Sequence, residues 1–182
     1  MRRTLHIMLL AALSVAPSAV AAQSLSAGFA VTDVGAPSPF GLSFSLPIAP
    51  LTGTVGYTFD GFLTLIDARG DGVSATPSAL PEFFRLGVFD GSSWFVVDDI
   101  GGTSAITGAG TTTQSASGTF DCSAIGACTL MRLDVAFELS GNEDQLIGSG
   151  TFTLQPTAVP EPGTLALLGL GALGMFRRRR AA

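Results

Sequence analysis

The stretch Met131-Arg132-Leu133-Asp134-Val135-Ala136-Phe137-Glu138-Leu139 decides the fold. Every second residue from Met131 is large and apolar, and Arg132, Asp134, Ala136 and Glu138 stand between them. A β-strand sends successive side chains to opposite faces, so this alternation describes a strand with one buried and one wet face. Such patterning belongs to antiparallel sheets, because parallel sheets are covered on both sides and read as continuous apolar runs. The expectation is an antiparallel sheet with Met131, Leu133, Val135, Phe137 and Leu139 facing the core.

Outward from this strand the same vocabulary continues. Short runs rich in Val, Thr, Phe and Leu alternate with clusters of Gly, Ser, Asp and Pro, and no helical period is sustained. Residues 54–59 and 62–66 flank Asp60-Gly61, the dipeptide that a two-residue type I′ hairpin turn favours. Residues 83–89 and 94–97 flank Asp90-Gly91-Ser92-Ser93 and predict a second hairpin. Further strands are expected within 28–32, 40–46, 103–107, 115–120 and 145–154. Pro37, Pro39, Pro47 and Pro50 mark loops or edge positions, since proline cannot donate to a ladder. Residues 101–118 read as an exposed, flexible stretch around one strand. Nine or ten short strands predict an all-β chain folded as a single antiparallel β-sandwich or jelly roll.

The two ends read differently. Arg2 and Arg3 precede an apolar stretch from Leu5 to Ala16, and Ala19-Val20-Ala21-Ala22 offers small residues to a signal peptidase. Residues 1–22 are therefore expected to be a signal peptide, and residues 23–158 the β domain. Near the other end, Val159-Pro160-Glu161-Pro162 precedes a charge-free apolar run from Gly163 to Phe176, followed by Arg177-Arg178-Arg179-Arg180. As a helix this run would be roughly 21 Å long, against the roughly 30 Å hydrocarbon core. Snorkelling arginines extend its reach, and Gly169, Gly171 and Gly174 are tolerated in membrane helices. A short transmembrane helix is expected, with its basic end in the cytoplasm and the domain outside.

Charge and missing residue types narrow the chemistry. Within residues 23–158 only Arg69, Arg85 and Arg132 are basic, against thirteen carboxylates, so the domain carries a formal −10. Nucleic acid and anionic lipid repel such a domain. The one histidine is His6, and the chain has no lysine. This excludes Ser-His-Asp and Cys-His catalysis, histidine-based zinc or iron sites, Schiff bases and P-loops from the domain. Cys122 and Cys128 are the only cysteines, and in an exported chain they are expected to form a disulfide pinning a strand connection.

The segment 159–182 resembles the PEP-CTERM sorting signal of Gram-negative bacteria. The resemblance rests on Pro160-Glu161-Pro162, the apolar segment and the basic stop at Arg177, Arg178, Arg179 and Arg180. It implies export, a membrane-anchored intermediate, recognition and cleavage near Glu161 by the protease-transpeptidase exosortase, and delivery to the cell surface or extracellular matrix. Proteins with such tails often accompany exopolysaccharide production, which makes exopolysaccharide a further partner implied by the resemblance.

Within the domain, no catalytic residues, cofactor or metal-ligand set are assigned. Asp60, Asp67, Asp71, Asp90, Asp98 and Asp99 offer the oxygen ligands calcium takes, but no Asp-x-Asp-x-Asp-Gly loop is present and turn formation explains such aspartates. Asp98 with Glu138 is one of many conceivable carboxylate pairs for a glycosidase. Trp94, Phe95, Phe83 and Phe84 are read as aromatic core rather than a carbohydrate platform. Arg69-Gly70-Asp71 is a coincidental tripeptide, and Thr111-Thr112-Thr113, expected in a loop, makes no regular array. Three functions remain, in this order: a structural or adhesive surface protein without catalysis, a carbohydrate- or calcium-binding module, and a small carboxylate-dependent hydrolase.

Overall fold

The alternation seen in residues 131–139 continues through most of the domain. The computed structural model describes residues 21–157, and ten strands occupy most of that span. They are β1 (Gln23–Asp33), β2 (Ser38–Leu51), β3 (Thr54–Ile66), β4 (Ser74–Pro77), β5 (Phe84–Phe89), β6 (Trp94–Ile100), β7 (Ile106–Thr107), β8 (Gly110–Asp121), β9 (Cys128–Leu139) and β10 (Asp144–Pro156). Most of the expected signal peptide (residues 1–20) and the expected tail (159–182), with its transmembrane segment, Val159-Pro160-Glu161-Pro162 motif and arginine stop, lie outside the described residues. Among the described residues no helix is long and apolar enough to cross a membrane.

Two antiparallel sheets form a sandwich. One has the order β1-β10-β3-β8. The other is built on β9, which pairs with β2 along one edge and with β5 and then β4 along the other. Strand β6 extends this sheet from β5, and β7 extends it from β4. The central position of β9 explains its pattern: Met131, Leu133, Val135, Phe137 and Leu139 are all buried, as the alternation requires. On its other face Ala136 is buried too, beneath a segment whose Ser78 N–H donates to the Ala136 carbonyl.

Rings tie the sheets together. Phe59 of β3 meets Phe84 of β5 with centroids 5.1 Å apart, and Phe29 of β1 stacks on Phe137 of β9 at 6.1 Å. Phe59 also lies over Gly61 and Gly150, which face each other across β3 and β10. A Cβ at Gly61 would come within 2.7 Å of the Phe59 ring and 2.8 Å of the Ser149 carbonyl oxygen. The ring fills the space that two absent side chains leave.

This packing explains why the Asp60-Gly61 hairpin does not form. Residues 54–66 are one uninterrupted strand, with β10 on one side and β8 on the other. A two-residue turn would set Phe59 opposite Phe62 and turn Leu63 and Leu65 to the outer face. As a through strand, Val55, Phe59, Leu63 and Leu65 keep one phase and are all buried. The through strand pairs continuously with β10 on one side and β8 on the other and keeps Gly61 opposite Gly150 beneath the Phe59 ring, an arrangement that the local preference of Asp-Gly for a turn does not outweigh. The second hairpin forms as expected, β5 pairing with β6 through Asp90, whose carboxylate accepts from Ser92 and Ser93 N–H.

Residues 101–118 also depart from expectation. Strand β7 has only two residues, and β8 begins at Gly110 and runs for twelve. Thr111, Thr112 and Thr113 therefore lie on a strand and not in a loop, held by the ladder to Thr64, Leu63 and Phe62. The prolines behave as edge markers: Pro39, Pro47 and Pro50 sit in β2, whose one ladder partner is β9, and Pro37 lies in the preceding loop.

Cys122 and Cys128 are joined, with Cα atoms 5.6 Å apart. Cys122 follows β8 in one sheet and Cys128 opens β9 in the other, so the bond clasps the chain where it crosses between layers. The intervening 3-10 turn (Cys122–Ile125) is capped by Asp121, whose carboxylate accepts from Ser123 N–H at 2.8 Å.

Candidate functional site

The inward alternation of three neighbouring strands ends on an aspartate. In β1 it runs Leu25, Ala27, Phe29, Val31, Asp33; in β10 it begins at Asp144 and continues to Leu146. In β3 it runs Leu63, Leu65, and the next inward position is Asp67. Asp33 pairs with Asp144 in the ladder, and Gln145 pairs with Ile66, so Asp144 stands between Asp33 and Asp67 at one end of the core. Asp33 is 5% exposed and Asp144 is completely buried.

The loop after β3 folds over this row. Asp67 accepts N–H groups from Arg69, Gly70 and Gly72, and Gly70 and Gly72 supply positive φ angles of 75° and 102°. Burial pushes the Asp67 carboxyl up, but the amide hydrogen bonds from Gly72, Gly70, Arg69 and Asp71 outweigh it and hold the carboxyl below its usual range. Asp71 is thereby carried back toward Asp67 and Asp144, and one carboxylate oxygen of each lies within 4.8 Å of the others. The turn before β10 meets the loop from the other side. Asn142 Nδ2 donates to Asp71 at 3.1 Å, and Arg69 pairs with Glu143 at 2.7 Å. Asn142 and Glu143 have φ of 58° and 71°, sparsely populated for non-glycine residues. Their N–H groups bond Gly35 and Asp33 carbonyls, which fixes the turn.

Of the six loop aspartates considered as oxygen ligands, only Asp67 and Asp71 are brought together, and Asp144 joins them from outside that set. Asp60 is on the outer face of β3. Asp90 holds its own turn, and Asp99 pairs with Arg85 at 2.8 Å. Asp98 accepts the Tyr57 hydroxyl at 2.7 Å. Burial, that hydrogen bond and the Asp98 charge together push the Tyr57 phenol up to about 12. Asp98 and Glu138 are held apart. The ladders set Asp98 level with Leu133 across β5, and Glu138 lies five residues further along β9. That places them roughly 20 Å apart, too far for a glycosidase pair.

Phe83 and Phe84 are core residues as expected, whereas Trp94 and Phe95 are 42% and 36% exposed. They belong to β6, an edge strand, so little covers them. Trp94 is flanked by Phe89, with centroids 5.1 Å apart, and by the Arg132 guanidinium 5.0 Å from its ring centre. The Arg69-Gly70-Asp71 tripeptide serves the loop: its arginine is paired and its aspartate joins the carboxylate cluster.

The outer face of the four-stranded sheet is a field of hydroxyls. Rows run straight across it: Ser24, Thr153, Thr58, Ser117, and next to it Ser26, Thr151, Asp60, Ser115. Neighbours bond each other, Ser24 to Thr153 at 2.9 Å, Ser26 to Thr151 at 3.0 Å and Thr64 to Thr111 at 2.8 Å. Phe62, Ile66 and Ile147 add a small apolar spot.

Beyond the domain, residues 158–180 match the family model for a PEP-CTERM protein-sorting motif. The tail is a PEP-CTERM motif. Such a motif is an exosortase recognition signal and implies export through a membrane-anchored intermediate. No curated relative matches the chain. Among solved structures, the chain is similar to the infectious bursal disease virus Gx strain at 12% identity and TM-score 0.47, over 85% of this chain and 39% of that one. It is also similar to the VP2 subviral particle of the same virus at 13% identity and TM-score 0.45, over 85% and 38%. The chain thus spans about two fifths of the length of these structures.

Proposed function

We propose that this chain is a structural or adhesive protein of the cell surface or extracellular matrix, released from an inner-membrane-anchored intermediate by exosortase and acting without catalysis. The observation that carries this reading is the PEP-CTERM motif at residues 158–180. The hydroxyl face of the sheet β1-β10-β3-β8 supports an adhesive role. It presents donors and acceptors in straight rows, with Asp60 the one charge within those rows. A partner for such a face is a neutral, hydroxyl-rich polymer, and exopolysaccharide has that chemistry. An acidic domain repels polyanions, so the reading specifies uncharged glycans.

Co-sedimentation of the exported protein with exopolysaccharide from the producing cells tests this. Binding should persist at high salt, because no ion pairs are involved, and should fall when Ser115, Ser117 and Thr151 are replaced by lysine. Full binding by that triple variant would refute the assignment of the face. A second reading, a carbohydrate-binding module using the exposed Trp94 edge, is favoured by the half-exposed ring. It predicts instead that Trp94→Ala abolishes binding.

A further inference from the structure

Three carboxylates that meet at one end of the core need a counter-charge. We propose that Asp67, Asp71 and Asp144 hold a calcium ion that ties the β3–β4 loop to the start of β10. The size fits. Calcium–oxygen distances of about 2.3–2.6 Å put ligands on opposite sides of one ion at most about 5 Å apart, and the three oxygens lie within 4.8 Å of one another.

A separate observation points to a ligand. Asp144 is completely buried, its Oδ2 accepts the Ser140 hydroxyl, and its Oδ1 has no hydrogen-bond donor. Across the ladder, Asp33 is also buried and its Oδ2 also lacks a donor. A buried carboxylate oxygen without a partner is costly, and two side by side are more so. Side chains of the protein do not answer this charge. Arg69, the nearest cation on the loop, is engaged with Glu143, and among the described residues no guanidinium pairs with Asp33 or Asp144. A cation from solvent does answer it.

The chemistry of the donors selects the metal. All are oxygens, which suit magnesium, calcium or manganese and not the softer zinc or copper. They come from an irregular loop and a strand end, a set suited to the variable geometry of calcium and not to the strict octahedron of magnesium. The loop also follows part of a known calcium-loop spacing: Asp67, Asp71 and Gly72 fall at its first, fifth and sixth positions, with Arg69 at the third. Asp144 supplies from a distant strand the carboxylate that the third position lacks. Calcium sites of extracellular modules bind in the range of about 10⁻⁴–10⁻³ M, so this one would fill on export and stiffen the end of the sandwich.

The test uses the exported chain purified in detergent from the producing cells, stripped with EDTA and titrated with calcium chloride by calorimetry and thermal unfolding. One-site binding is expected, with a rise in Tm of roughly 4–8 °C at about 10 mM calcium. Asp144→Asn should abolish both the heat and the rise. In EDTA it should melt above the wild type, because it removes the unpartnered buried charge. If Asp144→Asn fails to fold, Asp71→Asn carries the test, since Asp71 is exposed: calcium affinity should fall at least tenfold with melting in EDTA unchanged. Absence of heat and shift in the wild type would overturn the proposal. So would an equal response to magnesium chloride, or a full calcium response retained by a folded Asp144→Asn or by Asp71→Asn.

Discussion

Replacing Gly61 with alanine should destabilise the domain, and the amount follows from the packing of Phe59. The added methyl would sit 2.7 Å from the Phe59 ring and 2.8 Å from the Ser149 carbonyl oxygen. The ring is packed against Phe84, with centroids 5.1 Å apart, and the carbonyl belongs to the β10 backbone. Overpacking of this kind costs about 1–3 kcal/mol, and removing a strand glycine returns about 0.5–1 kcal/mol. The net expectation is a loss of about 1–2 kcal/mol, or a fall in Tm of roughly 3–6 °C for a domain of this size. Asp60→Thr separates the through strand from a turn. On the exposed outer face between Thr151 and Ser115, threonine should raise stability by about 0.5 kcal/mol. In a type I′ turn it would face a positive φ and lower stability by more than 1 kcal/mol. Urea unfolding followed by circular dichroism, with the disulfide intact, measures both. A damaging Asp60→Thr would refute the strand, and a neutral Gly61→Ala would refute the packing of Phe59 over Gly61.

Other outcomes follow from the same geometry. Removing the disulfide as Cys122→Ala/Cys128→Ala should cost about 2 kcal/mol by the chain-entropy estimate for a loop with sequence separation 6, read as a lower urea midpoint. The chain has one tyrosine, so tyrosinate absorbance follows Tyr57 alone; its midpoint should lie at about 12 and drop in Asp98→Asn. Because the folded phenol titrates above its unfolded value of 10.0, its contribution to stability is whole below pH 10 and is lost as pH rises through about 12. Replacing Arg177, Arg178, Arg179 and Arg180 with glutamine should let the apolar segment slip through the membrane, seen as loss of the anchored intermediate on cell fractionation.

Much of the fold was legible because alternation along a strand is a direct record of burial. Residues 131–139 showed the face of β9, and Asp90-Gly91-Ser92-Ser93 marked the β5–β6 hairpin because local turn chemistry and pairing agree there. Asp60-Gly61 misled because a local turn preference met a strand that pairs on both sides along its whole length. Residues 110–114 misled because Ser, Thr and Gly on an edge strand look like a loop when one face is wet and the other is only half covered. The aspartate row was partly legible. Asp67 and Asp71 stood out as loop acids, but Asp144 is distant in sequence and its relation to them is a matter of register. One signal was present: in β1, β3 and β10 the inward alternation ends on an aspartate, where a core position should be apolar. The PEP-CTERM motif was legible, since its residues are contiguous in the chain.

The central claim is that the tail directs exosortase processing of an exported β domain. Intact-mass measurement of the mature protein tests it most directly, in cells with exosortase and in cells lacking it. The account predicts a species trimmed near Glu161 in the first and the anchored, untrimmed chain in the second, with Glu161→Ala untrimmed in both. Trimming to the same mass without exosortase, or normal trimming of Glu161→Ala in its presence, would contradict it.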